Sequence, residues 1–201
     1  MAALPLVSPL RYTVATSIEA IIMSYHHLAI TTRDMPATHA FYADAMGFEL
    51  VRVEKAQMGP DKWAKHFFYD TGDGAMIAFW DIRDASLTDF QTSISAGLGL
   101  PRWSNHIAFG AADLADLDAK RERLVAAGYP VTEVDHNWCT SIYAMDPNGI
   151  MVEFCVTTKA FEAGDKARAL AAVHSDELRN EPPPSGKRFE AKGPAKAEFA
   201  L

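Results

Sequence analysis

The chain alternates short apolar runs with helical and turn signals, and the order of these signals occurs twice. Residues 25 to 31 (YHHLAIT) read as a strand; Asp34 then caps a helix that has Pro36 in its first turn and Gly47 just past its end. Strand-like runs follow at 48 to 54, 65 to 70 (KHFFYD) and 75 to 80 (AMIAFW), the last two separated by the turn residues 71 to 74. This is one βαβββ unit. A second starts at 105 (NHIAFGA), where Asp113 caps a helix ending at Gly128, with Leu114, Leu117, Leu124 and Val125 expected on its apolar face. Strands at 130 to 134, 138 to 145 and 150 to 156 complete it, the last two joined by the turn Asp146, Pro147, Asn148, Gly149. His27 and His106 are 79 residues apart, Gly47 and Gly128 81, and Gly74 and Gly149 75, so the two units correspond element by element, with the small differences in loops.

This pattern sets the domain boundaries. Residues 23 to 158 form one domain of two modules, 23 to 100 and 101 to 158, with the polar stretch 81 to 101 as connector. The pattern begins only at Met23. Residues 1 to 22 therefore read as an extension, either outside the native start or a short helix packed on the domain. Residues 159 to 201 are expected to give a helix near 165 to 179 and then a mobile, Pro-, Lys- and Ala-rich tail without a core of its own.

Composition narrows the class of partner. A net charge of -7 with no dense basic run argues against nucleic acid and against anionic membrane surfaces, and no apolar run is long enough to span a bilayer. Two cysteines, Cys139 and Cys155, follow neither a disulfide framework nor a zinc-binding spacing, so a reducing, cytoplasmic setting is expected. Both read as small packing residues.

HHLAI opening one unit, NHIAF opening the next and DPNGIMVEF closing it resemble the vicinal oxygen chelate superfamily, over about residues 24 to 157. The resemblance implies an α+β fold in which two βαβββ modules in tandem form a curved mixed sheet around a metal cavity. It further implies metal ligands at His27, His106 and Glu153, with Ala78 at the fourth equivalent position. In a strand, Met151, Glu153 and Cys155 share one face; an ionised Glu153 buried there needs a partner. Two imidazoles and one carboxylate form a facial triad for a divalent ion, Fe(II) by preference or else Mn(II) or Zn(II). His26, next to His27, is expected on the opposite side as a structural or surface residue.

The missing fourth ligand weighs against a glyoxalase I type isomerase and leaves ring-cleaving extradiol dioxygenases and fosfomycin-type transferases. By resemblance Tyr143, ten residues before Glu153, stands where extradiol enzymes carry a tyrosine near the substrate hydroxyls, or it is a core residue. His136 lies about two residues out of step with their upstream histidine, and faces either the pocket mouth or water. Ala75 stands where they carry a catalytic histidine; His66, on the face of Phe68, is a substitute or a surface residue. Phe68, Met76, Trp138, Met151 and Trp103 are expected to line a cavity for a small, oxygenated, aromatic molecule. The expected assembly is a homodimer, with the site completed either within one chain or between two. A transferase, lyase or isomerase of the same superfamily, or a noncatalytic binding protein, is the alternative.

Overall fold

The structure, a computed structural model, describes residues 25–72, 74–176 and 182–197. The extension expected over 1 to 22 lies outside the described residues.

In the first module β1 (His27–Thr32) leads into α1 (Met35–His39), which continues as a π-helical turn over Ala40–Ala45. The Asp34 side chain accepts from the Ala37 amide, and Gly47 ends the helical stretch at φ +83°, which a side chain would oppose. β2 (Glu49–Gly59), β3 (Lys62–Asp70) and β4 (Met76–Arg83) follow, in the sheet order β1-β4-β3-β2, with β1 and β4 parallel. A short α2 (Ile94–Gly97) lies in the connector. The second module repeats the order with β5 (His106–Gly110), α3 (Leu114–Ala126), β6 (Val131–Asp135), β7 (Cys139–Met145) and β8 (Met151–Thr157). Its sheet runs β5-β8-β7-β6, again with the first and last strands parallel.

Each module keeps its own sheet, and the two share one core. Phe41, Tyr42 and Phe48 of the first module are buried with Leu124, Tyr129 and Phe154 of the second. The turn at 146 to 149 docks on the first helix: the Tyr42 hydroxyl donates to Asp146 at 3.0 Å, and Asn148 Nδ2 donates to Thr38 Oγ1 at 3.2 Å, all buried. Arg123 Nε donates to the Ala45 carbonyl at 2.8 Å. These contacts lock the modules together. Phe41→Ala, at a fully buried position between Tyr42 and Tyr129, is expected to cost about 3–5 kcal/mol of stability. Urea unfolding checks this, and a loss under about 1 kcal/mol would mean that the modules are not packed on each other in this way.

Three sequence expectations need correction. Leu114 is 53% exposed, because as the first residue of α3 it precedes the turns that contact the sheet, whereas Leu117, Leu124 and Val125 are buried. The helix α4 spans Ala163–Ala172, short of 179. The tail is not without structure: β9 (Ser185–Phe189) pairs antiparallel with β6 and makes the second sheet five-stranded. Phe189 packs against the shared core, and the Lys192 and Lys196 amides donate to the carbonyls of Val125 and Gly128. An open sheet edge offers backbone donors and acceptors to any nearby segment, and this segment takes them.

Candidate metal centre

The sheet register places the repeat-equivalent residues. His27 lies opposite Met76 and Ala29 opposite Ala78; His106 lies opposite Met151 and Ala108 opposite Glu153. Ala78 and Glu153 are thus structural counterparts. Phe68 sits across from Ala78 as Tyr143 sits across from Glu153, so these two correspond as well. His66 and Ser141, two residues earlier on β3 and β7, form a further pair of counterparts.

Both first strands turn their histidine away from the shared core. On β1, Ile30 and Thr32 point into the protein and His27 is exposed; on β5, Ile107 and Phe109 are part-buried against the core and His106 is exposed. The faces opposite the core carry the candidate site residues.

On the second module these residues meet. His106 Nε2 lies 3.0 Å from Glu153 Oε2. His106 Nδ1 lies 2.8 Å from the Trp103 carbonyl, which can only accept, so Nδ1 carries a proton and Nε2 is the nitrogen turned to the carboxylate. Two facing lone pairs repel unless a second ring proton or a cation lies between them. Glu153, only 6% exposed, is held further by Ser141, whose hydroxyl donates to Oε1 at 2.5 Å. One imidazole and one carboxylate, each fixed by a hydrogen bond at its far side, are donors suited to a divalent ion. Trp103, expected to line the cavity, contributes its backbone carbonyl here, and its ring is exposed.

Beside this pair, Tyr143 and His136 form a dyad with 3.0 Å between the hydroxyl and Nε2. Burial, foremost, raises the Tyr143 pKa above the ordinary value, so the phenol keeps its proton, and which of the two atoms donates follows the ring's tautomer. Met151 packs with Tyr143 and Met145. Trp138 is half-exposed against Phe161, 5.2 Å between rings, an aromatic partner from outside the repeats that the sequence pattern did not reveal. Cys139 is buried, which pushes its thiol up to about 11 and suits a packing role.

His27 is not brought to this pair. Its ring neighbours are His26, His66 and Phe68, and among the described residues no group of three His, Cys, Asp or Glu side chains is arranged to hold an ion. His26 precedes the strand, so alternation does not send it away from His27; the two Nδ1 atoms are 2.8 Å apart. His66 is 4% exposed and stacks on Trp80 at 3.9 Å, which excludes a surface role. Burial and then the adjacent His27 lower its pKa, so the ring is neutral at pH 7, and its buried Nε2 has no hydrogen-bond partner among the described residues. A cleft of about 710 Å³ runs between the modules and takes in Met76 and His106.

Residues 24–154 match a family model described as the glyoxalase/bleomycin resistance protein/dioxygenase superfamily. Among solved structures, a domain so described from Frankia sp. EAN1pec is 20% identical, with a TM-score of 0.50, covering 68% of this chain and 98% of its own. A lactoylglutathione lyase from Agrobacterium tumefaciens is 27% identical (TM-score 0.44; 66% and 92% covered). The fosfomycin resistance protein FosX from Mesorhizobium loti is 21% identical (TM-score 0.46; 69% and 94% covered). No curated protein matches the sequence. No helix among the described residues is long and apolar enough to cross a membrane.

Proposed function

Because the chain belongs to the glyoxalase/bleomycin resistance protein/dioxygenase superfamily, we propose that it is a metal-dependent enzyme acting on a small oxygenated molecule, with ring cleavage of a catechol-like substrate by dioxygen as its reaction. The observation that carries this reading is the imidazole–carboxylate pair, His106 Nε2 and Glu153 Oε2, fixed 3.0 Å apart on a face turned away from the core. The metal would be held by His106, Glu153 and one further imidazole, His27. A divalent ion, Fe(II) by preference, would supply open positions for two adjacent substrate oxygens and for dioxygen. Ala78 has no donor atom and adds no fourth protein ligand.

The third ligand comes, on this reading, from a second copy of the chain. Bringing His27 to His106 within one chain would require the modules to move, against the buried Tyr42–Asp146 and Thr38–Asn148 bonds and the shared aromatic core. Both histidines instead lie on edge strands, β1 and β5, with one side open for a neighbour. Two half-sites per chain give two whole sites per homodimer.

The remaining residues handle protons and shape. Tyr143 presents its hydroxyl beside Glu153 and within 3.0 Å of His136 Nε2, so the phenol O–H, kept protonated by burial, can donate to a substrate oxygen. His66 Nε2, neutral and without a partner among the described residues, is a base on the first module's face, in place of a histidine at Ala75. Of the expected apolar lining, Met76 borders the cleft between the modules, while Phe68 and Met151 are buried behind the histidines and Trp138 packs on Phe161.

The test is oxygen uptake, with formation of a yellow product, by anaerobically purified, Fe(II)-loaded protein on a panel of catechols. Tyr143→Phe is expected to retain the metal and lose turnover by roughly 10²-fold, the contribution of a positioned proton donor. His66→Gln tests the base in the same assay. Unchanged turnover in both would place the proton chemistry elsewhere, and a requirement for a thiol cosubstrate would favour transferase chemistry instead.

A further inference from the structure

We infer that Ser141 is a positioning residue for Glu153: its hydroxyl occupies one carboxylate oxygen so that only the other is presented to a cation. This rests on the reading that His106 and Glu153 hold a divalent ion.

The geometry is specific. Ser141 lies on β7, fully buried, directly opposite Cys155 and diagonal to Glu153 on the neighbouring strand β8. Its Oγ is 2.5 Å from Glu153 Oε1 and 3.9 Å from the sulfur of Cys139. A hydroxyl has one proton, and a carboxylate accepts it far better than a thiol does, so the proton goes to Oε1. Glu153 Oε2 is then left facing His106 Nε2 at 3.0 Å. Without the serine, Oε1 loses the donor that holds it back, and the side chain can rotate or take both oxygens to an ion.

The internal repeat offers a comparison within the same chain. The counterpart of Glu153 in the first module is Ala78, and the counterpart of Ser141 there is His66, which stacks on Trp80 and whose Nε2 has no hydrogen-bond partner among the described residues. With the carboxylate gone, the hydroxyl at the register position serving it is gone too. A packing role alone gives no reason for that pairing.

The direct test is titration of the full-length, metal-free protein with Co(II), whose visible absorption reports its ligands, under reducing conditions. Ser141→Ala is expected to weaken Co(II) binding by about 10–100-fold, the usual cost of losing a group that orients a metal ligand, and to alter the Co(II) spectrum. Cys139→Ala perturbs the same buried face without touching the carboxylate, and is expected to leave affinity and spectrum as in the wild type. Ser141→Cys keeps the bulk with a weaker donor and should fall between the two, which retains the test if Ser141→Ala does not fold. Wild-type affinity and spectrum in the folded Ser141 variants would overturn the assignment while leaving the metal site intact, as would an equal loss in Cys139→Ala. No Co(II) binding by the wild type would overturn the metal reading itself, and this assignment with it.

Discussion

His27→Ala, His106→Ala and Glu153→Ala are each expected to bring bound metal from about one ion per chain toward zero and turnover down by about 10³-fold or more, the several kcal/mol that a bound ion contributes to such a reaction. The fold should survive each change. The three side chains lie on faces turned away from the core that joins the modules, and that core, rather than an ion, supplies the stability. Glu153→Ala leaves the Ser141 hydroxyl and the His106 ring without their partner, at a cost of about 1–3 kcal/mol, which a domain of this size can absorb. Elemental analysis after anaerobic purification, with circular dichroism as the check on folding, reads both quantities. Full occupancy in any variant would remove that residue from the ligand set.

The repeat was legible in the sequence because both modules use the same local devices: an Asp cap before the helix, a glycine after it and a histidine opening the first strand. The counterpart positions of Ala78 and Glu153, implied by the family resemblance, coincide with the strand register. Alternation within a strand also placed Glu153 and Tyr143 on common faces, because a period of two is a property of the strand itself. What lay beyond reach depends on contacts between distant segments. The segment SGKRF has a glycine and two cations and little intrinsic preference for a strand; it becomes β9 only because the edge of β6, some fifty residues earlier, is open to it. For the same reason the sequence left open whether His27 meets His106 within one chain. That answer depends on how two sheets pack, and the packing is set by Tyr42, Thr38, Asp146 and Asn148, which the strand pattern does not single out. Strand alternation puts Ser141 on the face of Tyr143, but its pairing with Glu153 follows only once β7 and β8 are set side by side.

The account stands most directly on the claim that a whole site is assembled from half-sites of two chains, and subunit exchange measures it. His27→Ala and Glu153→Ala, each inactive alone, are mixed in equal amounts under conditions where exchange is confirmed by a mass tag on one of them. In a mixed dimer one site carries both lesions, and the other combines an intact His27 with an intact His106 and Glu153. Half of randomly paired dimers are mixed and each keeps one site of two, so metal binding and turnover should return to about a quarter of the wild-type level. No recovery, with exchange confirmed, would contradict the account and place all three ligands of each site within one chain.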